Sequence, residues 1–405
     1  MFIATKYRLY PNAEQSVLMA KHFGCVRWLY NKGLELKTEA WTERKENLSR
    51  FDIQAHLPIW KKDEETAWLK EVNSQSLQAS LVSLDMAYTR FFKLKKGFPR
   101  FKSKHDNRQS FQVPQAGGVG KDFVKIPKVG EIKAVISRPV RGKIKTITIS
   151  KTPTGKFFAS ILCDDGRELP PKLQVTEAGT IGIDLGIKDF AVLSTGERIA
   201  NPRNLKWALR KLARAQRRLS RRVKGSKNRS KQRCRVARVH EQVANRRKDF
   251  LHKTTTKLVR DNQTDTFAIE DLAVENMMQN NRLAKAISDA GWREFRRQLE
   301  YKAERAGKNV IVIGRFEPSS KSCSCGIVNK KLKLSDRVWT CSCGTTHDRD
   351  LLAANNIKRF ALHPQNKLVA GDTGESTSVE TGSSRSSKQK SKNAVKCKRG
   401  KSTCF

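Results

Sequence analysis

The spacing of hydrophobic positions changes several times along this chain, and each change predicts a new element. Residues 2–10 alternate apolar and polar, the period of a strand. From Pro11 the spacing lengthens to three and four. Val17, Leu18, Phe23, Val26, Leu29 and Tyr30 predict an amphipathic helix pair over 12–38. More helix is expected over 51–59 and over 74–95, where Leu77, Leu81, Leu84, Tyr88 and Phe91 recur at helical spacing. The segment Gly97-Phe-Pro-Arg-Phe-Lys102 ends that run. From about 109 to 165 the texture is strand: Lys143 to Ser150 alternates, Thr152-Pro-Thr-Gly155 turns, and Phe157 to Cys163 returns. The first part of the chain therefore reads as a β module carrying a helical insert.

A short polar linker, Glu168 to Lys172, precedes the next unit. Thr180 to Leu185 and Phe190 to Leu193 predict two strands around a glycine-containing turn, with a third starting at Arg198. Residues 203–249 predict one long helix, or two broken near Lys224 to Asn228. Leu205, Leu209, Leu212 and Leu219 mark one apolar face; Val236, Val239, Val243 and Phe250 mark the next. A strand over 264–270, a helix around 291–306, a strand over 309–314 and a last helix over about 348–361 complete the pattern. Beyond Pro364 the chain is rich in Ser, Thr, Gly and Lys, with eight basic residues between Arg385 and Lys401. A disordered basic tail over 364–405 is expected.

Composition narrows the function. The 405 residues allow two to four domains and a sizeable core. Lys and Arg number 82 against 39 Asp and Glu, a net charge of +43. An excess this large points to a polyanion, and nucleic acid is the commonest. A ribosomal or chromatin protein that neutralises phosphate without chemistry fits the charge equally well. A membrane surface does not, because the basic stretches lack a strongly apolar face. No apolar run approaches the roughly 20 residues of a membrane span, and the N-terminal strand pattern is not a signal peptide. The expected location is cytoplasmic. Of the nine cysteines, Cys25, Cys163 and Cys234 are scattered and Cys397 and Cys404 lie in the tail. Cys323, Cys325, Cys341 and Cys343 cluster, which in this compartment argues for metal rather than disulfide.

The charge is not evenly spread. Residues 203–248 hold nineteen Lys and Arg and one acid, Glu241. A run so one-sided repels itself unless phosphate is near, so Arg210, Arg214, Arg217, Arg218 and Arg221 are candidate nucleic-acid contacts. A merely solvated face is the alternative. The segment Phe91 to Lys104 interleaves aromatics with cations, including Lys95, Arg100 and Lys102, as a base-stacking platform would; a helix end with core aromatics reads the same way. Gln75, Ser76 and Gln78 on the preceding helix could read base edges, or form an exposed polar face.

Three acids stand in distinctive settings. Asp184 lies in Gly182-Ile-Asp-Leu-Gly186, and Glu270 ends the apolar run Thr266-Phe-Ala-Ile-Glu. Asp350 opens the helix-like Asp350-Leu-Leu-Ala-Ala-Asn-Asn-Ile357. Each alone reads as a turn acid, a strand-end acid or a capping residue. Together they have the residue type that hard divalent ions prefer, and phosphodiester hydrolysis with two metals needs such a carboxylate pocket. Strand–strand–helix placement of three acids is the layout of an RNase H-like nuclease core. Asp271 and Asp348 are competing neighbours. The four cysteines form two Cys-x-Cys pairs, a zinc-ribbon pattern with a tighter gap than the usual two residues. His347 is a possible substitute ligand, and packing of Leu332, Leu334, Val338 and Trp339 could hold the module instead.

As an ordered set, these motifs resemble the TnpB (OrfB) family of insertion-sequence proteins, relatives of the type V CRISPR effector nucleases. The set is Gly182-Ile-Asp-Leu-Gly186, Ile269-Glu-Asp-Leu272, Arg315-Phe-Glu-Pro-Ser-Ser-Lys321, the paired cysteines and His347-Asp-Arg-Asp350 with Ala353-Ala-Asn-Asn-Ile357. Tyr7-Arg-Leu-Tyr-Pro11 with Glu14-Gln15, and Gly97-Phe-Pro-Arg-Phe101, also fit. The resemblance covers residues 1 to about 361.

It implies an RNA-guided DNA endonuclease associated with transposition. Its partners would be a guide RNA from the transposon end and double-stranded target DNA bearing a short flanking motif, with no membrane, and the implied location is a prokaryotic cytoplasm in association with the nucleoid. The implied fold is α/β and multidomain. A β-barrel wedge module would span 1–10 and 103–170, a helical recognition insert 11–102, a RuvC-like nuclease core 175–318 and 346–361, and a zinc-ribbon-like module 319–345. Asp184, Glu270 and Asp350 would hold Mg²⁺ or Mn²⁺; Cys323, Cys325, Cys341 and Cys343 would hold Zn²⁺. The basic helices after Asn204 would lie along the RNA–DNA duplex. The chain departs from the family at Leu352, where Asn usually stands two residues after the third acid, and in its short cysteine gaps. The alternatives are an RNA-guided DNA-binding regulator with weak or no cleavage, and a plain DNA-binding accessory protein.

Overall fold

The alternation at the N-terminus folds as strand β1 (Phe2–Tyr10), with Tyr7 and Leu9 buried on its inner face. The computed structural model describes residues 1–363 except 107, 108, 262, 334 and 335. The expected disordered tail, with Cys397 and Cys404, and Leu334 of the ribbon lie outside the described residues. No helix among the described residues is long and apolar enough to cross a membrane.

After β1 comes one helix, α1 (Ala13–Glu39), where a helix pair was expected. Its start is a capping box: Asn12 Oδ1 accepts from the Gln15 amide at 2.7 Å, and Gln15 Oε1 accepts from the Asn12 amide at 3.1 Å. Gly24 and Gly33 do not break it. Gly33 lies under the next long helix, where a Cβ would come 3.0 Å from Leu84 and 3.1 Å from Leu81. The expected helix over 51–59 is two short ones, α2 (Arg50–Ala55) and α3 (Leu57–Lys62), because Pro58 cannot donate to the carbonyl four residues back. Then α4 (Ser74–Leu94) runs as its periodicity predicts and ends at Lys95 in the left-handed region, φ +47°.

Six strands follow: β2 (Gln109–Val113), β3 (Gly118–Val119), β4 (Phe123–Ile126), β5 (Gly130–Val135), β6 (Lys143–Lys151) and β7 (Phe157–Asp164). With β1 they form a seven-stranded antiparallel sheet in the order β2-β6-β7-β1-β5-β4-β3. Tyr7, Leu9, Phe111, Ile147 and Ile161 of the sheet share one apolar cluster with Phe23, Leu29, Leu77 and Leu81 of the helices. The helical insert is thus packed into the core of the β module.

The second half begins with β8 (Thr180–Leu185), β9 (Asp189–Leu193) and β10 (Arg198–Ala200), an antiparallel meander. The basic run folds as a helical hairpin, α5 (Asn204–Ser220) and α6 (Lys227–Arg260), broken at Gly225 with φ +85°. Ala208, Leu212, Val239 and Val243 are its buried seam, whereas Leu209, expected on the apolar face, is exposed. Next come β11 (Thr266–Glu270), α7 (Val274–Met277), α8 (Ala284–Ala290), α9 (Trp292–Arg305) and β12 (Asn309–Ile313). The pattern did not reveal α7 and α8, which are too short to display a helical period. The chain continues through β13 (Val338–Thr340) and β14 (Thr346–Asp348) to α10 (Arg349–Leu362).

Five of these strands form a sheet in the order β10-β9-β8-β11-β12, with β8, β11 and β12 parallel. Ile181, Ile183, Phe267 and Ile269 pack with Leu251 of α6 and Phe295 and Leu299 of α9 on one face. On the other, Ala268 and Ile313 pack with Ile357 and Phe360 of α10.

Candidate active site

The sheet register brings two of the acids together. β8 and β11 pair in parallel with Ile183 opposite Ile269, so Asp184 and Glu270 follow on the next rung. Side chains alternate across a strand. The isoleucines face α6 and α9, which leaves Gly182, Asp184, Ala268 and Glu270 to the face covered by α10. In both strands a small residue precedes the acid by two positions.

Gly182 has a specific task there. A Cβ on it would lie 1.9 Å from the Ala354 carbonyl oxygen and 2.8 Å from the Lys358 amide nitrogen. Only a glycine lets α10 rest on the backbone of β8. Asp348 caps α10, its Oδ1 accepting from the amides of Asp350 at 3.1 Å and Leu351 at 3.0 Å. Asp350 falls in the first turn of α10, where the helix dipole favours a carboxylate.

The three acids share one electrostatic neighbourhood. Burial, then the charges of Glu270 and Asp350, push the Asp184 carboxyl up to about 7; Arg349 and Arg337 oppose the rise. Burial also raises Glu270, opposed by a hydrogen bond that the Ser319 hydroxyl donates to its Oε1. Asp350 Oδ1 lies 3.3 Å from Arg337 Nη1, and its Oδ2 lies 3.9 Å from Arg198 Nη1. The competing acids are otherwise engaged. Asp271 pairs with Arg315 at 2.7 Å and Arg296 at 2.9 Å, and Asp348 pairs with Arg198 at 2.8 Å while capping α10.

The cysteines draw closer still. Among the described residues they are the one group of three or more candidate ligands whose donor atoms all lie within 4.8 Å of one another. Cys323 and Cys343 sulfurs are 3.6 Å apart, and Cys325 and Cys341 sulfurs 3.7 Å. The two Cys-Ser-Cys-Gly turns are alike. In each, the first cysteine amide donates across the turn at 2.9 Å, to Ile327 or to Thr345, and the glycine amide donates back at 3.1 or 2.9 Å. Gly326 and Gly344 both have positive φ, +94° and +86°. The short gap is therefore one hairpin used twice. Hydrogen bonding from Thr345 lowers the Cys343 thiol to about 6, toward the thiolate that binds metal. His347 Nε2 lies 3.1 Å from Cys323 Sγ, and its ring lies 4.8 Å from that of Trp339. Leu352 is buried with Cys323, Cys341, Leu332 and Trp339, so the departure after the third acid fills the ribbon core.

The candidate nucleic-acid residues divide into engaged and free. Arg210, Arg214, Arg217, Arg218 and Arg221 are exposed on α5 and just beyond it, and among the described residues none forms a salt bridge. Glu241, the acid of the basic run, ties α6 to the β6–β7 turn through Lys156 at 3.0 Å and the Thr154 hydroxyl at 3.3 Å. Gln78, Lys95 and Arg100 are exposed. Lys102 places its ammonium over the Tyr30 ring at 3.6 Å, and Gln75 Nε2 donates to Gln115 Oε1 at 3.2 Å. Sequence reasoning missed Ser319, Asn356, Arg198 and Arg337 beside the acids. Ser319 and Asn356 stood inside the quoted motifs, but nothing in their spacing tied them to Glu270.

Comparison with known families gives three matches. A family model described as "Probable transposase", OrfB of IS605, matches residues 162–281. The TNB domain of Cas12f1-like proteins matches 292–357, and a helix-turn-helix domain of the same OrfB family matches 1–46. A protein of Streptomyces pristinaespiralis named "Putative RNA-guided DNA endonuclease" is 44% identical over 364 residues, 89% of each chain. InsQ of Escherichia coli K12, under the same description, is 33% identical over 87% of this chain and 91% of its own. The Cas12f1 chain in a cryo-EM structure of a Cas12f1–sgRNA–target DNA complex superimposes with TM-score 0.55 at 12% identity, covering 88% of this chain and 98% of that one. At that identity the likeness is one of fold.

Proposed function

The chain belongs to the TnpB (OrfB) family of insertion-sequence proteins, and on that premise we propose that it is an RNA-guided, divalent-metal-dependent DNA endonuclease. Its partners are a guide RNA from the transposon end and a target duplex with a short flanking motif. One observation carries the chemistry. Asp184 and Glu270 stand opposite each other on one rung, on the face covered by the helix that bears Asp350, and burial together with the charges of Glu270 and Asp350 raises the proton affinity of Asp184.

The five-stranded sheet, with its first three strands antiparallel and the next two parallel, supports a RuvC-like, RNase H-type core. Asp184, Glu270 and Asp350 are its catalytic acids. The donor set fits Mg²⁺ or Mn²⁺, because the Asp184 carboxyl is buried beside the charges of Glu270 and Asp350, a repulsion that a hard cation relieves. Bound there, the metal would supply charge for the phosphodiester oxygens and a more acidic water for attack. The chain's own groups do the rest. Ser319 orients Glu270, Asp348 fixes the start of the helix that bears Asp350, and Arg337 holds a guanidinium beside it for substrate phosphate.

The four cysteines fit Zn²⁺. A tetrahedral thiolate site with Zn–S near 2.3 Å has sulfurs about 3.8 Å apart, close to the spacings of the two pairs. The seven-stranded sheet would serve as the wedge module and its helical insert as the recognition part. The α5–α6 hairpin would lie along the RNA–DNA duplex, read through backbone and shape.

The test is to express the protein with flanking insertion-sequence DNA, sequence the RNA that co-purifies, and challenge the complex with a matched duplex and Mg²⁺. Wild-type protein should cut and the Asp184→Ala variant should not. Tight binding without cutting by wild type would overturn the nuclease reading in favour of a guided regulator. Absence of bound RNA would favour an accessory DNA-binding protein.

A further inference from the structure

Three buried groups connect the helix of the third acid to the second acid. Asn356, on α10, is buried and gives both N–H groups to one loop: Nδ2 lies 2.6 Å from the Ser319 carbonyl and 2.6 Å from the Ser322 carbonyl. Ser319 is buried, and its hydroxyl donates to Glu270 Oε1. Ser322 is buried as well and directly precedes Cys323, the first ribbon cysteine. The loop between them is braced by its own bonds, the Lys321 and Ser322 amides donating to the Pro318 carbonyl at 3.1 Å.

We propose that Ser319 and Asn356 are positioning residues that set Glu270 relative to Asp350. The proposal rests on reading Glu270 and Asp350 as metal ligands. Asp350 and Asn356 are six residues apart on α10, a rise of about 9 Å, so one rigid helix carries both an acid and the amide that fixes the second acid's partner. Without the Ser319 hydroxyl, Glu270 would keep its place on β11 but lose the bond that selects its rotamer. Without Asn356, two buried carbonyls would lose their donor and the Pro318–Ser322 loop its tie to α10. Outer-shell partners of metal-binding carboxylates act in this way, and their loss typically costs about 10–100-fold in metal affinity or activity.

The test uses full-length protein with its guide RNA. Cleavage of a matched duplex is titrated with Mg²⁺, and Mn²⁺ binding is followed by electron paramagnetic resonance. The Ser319→Ala variant should move the Mg²⁺ midpoint upward by at least about tenfold. Mn²⁺ binding should weaken in parallel, while RNA affinity and zinc content match wild type. Ser319→Thr, which keeps the hydroxyl, should restore the midpoint. Asn356→Ala should show the same shift, and the double variant should be no worse than either single, because both act through one bond to Glu270. A wild-type Mg²⁺ midpoint and Mn²⁺ affinity in Ser319→Ala, or simple additivity in the double variant, would overturn the proposal. Failure of wild type to bind Mn²⁺ or cut would instead remove the nuclease reading on which it rests.

Discussion

Gly182 and Ala354 meet backbone to backbone: a single added carbon on Gly182 would stand 1.9 Å from the Ala354 carbonyl oxygen. This contact seats α10 on β8, and with it Asp350 beside Asp184. Gly182→Ala should push the helix outward. Overpacking of this kind costs about 1–3 kcal/mol, occasionally more. The expected outcome is a lower urea midpoint with guide RNA still bound, and a loss of cleavage larger than the unfolded fraction explains. A variant as stable and as active as wild type would mean that α10 does not sit on β8.

The acid cluster gives a pH dependence with a definite sign. The folded-state proton affinity of Asp184 is raised from an ordinary 3.8 to about 7, mainly by burial and the neighbouring charges. Such a group stabilises the fold fully below about pH 4, its unfolded range, and that contribution is lost as pH rises through 7. Glu270 is raised by burial and acts in the same direction. In metal-free protein this term should therefore fall between pH 4 and 8. Mg²⁺ needs the ionised carboxylates, so it should raise the melting temperature more at pH 8 than at pH 5. Thermal melts across pH with and without Mg²⁺ check this, with Asp184→Asn as the variant in which the Mg²⁺ effect disappears.

Much of this arrangement was legible in the chain because its signals are periodic. Alternation placed β1 and β6, and spacings of three and four placed α4. The acids stood out because Asp184 lies between two glycines in an apolar strand, Glu270 ends another and Asp350 opens a helix. What period cannot reveal is close approach and loop conformation. The spacing over 12–38 predicts a helix pair, yet the capping box at Asn12 and the close packing of Gly33 beneath Leu81 and Leu84 go with one continuous helix, α1. Leu209 matched a helical stripe but faces solvent, because the hairpin seam runs through Ala208 and Leu212. The Asn356–Ser319–Glu270 chain depends on the path of a loop that carries no pattern of its own.

Leu352 bears on what the third corner requires. It fills the ribbon core against Cys323, Cys341 and Trp339. Leu352→Asn, the residue its family usually has there, should bury an amide in apolar surroundings at a cost of about 1–3 kcal/mol. The expected result is a lower melting temperature with no gain in cleavage. A rise in cleavage would show that position 352 reaches the acids.

The ribbon itself predicts about one zinc per chain by elemental analysis, retained through purification without added metal. Two pairs of sulfurs already 3.6 and 3.7 Å apart in matching turns need little rearrangement to bind. A chelator strong enough to strip the zinc should lower the melting temperature, and Cys341→Ser should reproduce that loss without chelator. Because Leu352 joins the cysteines to α10, cleavage should fall with zinc content. Protein that purifies without zinc yet melts and cuts normally would leave the ribbon held by packing alone.

The arginines of α5 make the most quantitative prediction. Arg214 and Arg218 are one helical turn apart, exposed, and form no salt bridge among the described residues. Removing either should leave stability within about 0.5 kcal/mol of wild type. If each meets a phosphate, each alanine substitution should reduce the slope of log affinity against log salt by about 1. The double substitution should reduce it by about twice that, with affinity for every guide sequence falling alike, because phosphate contacts carry no sequence information. Binding measured across a salt series decides it: an unchanged slope would assign these arginines to a solvated face, and a sequence-dependent loss would assign them to base edges.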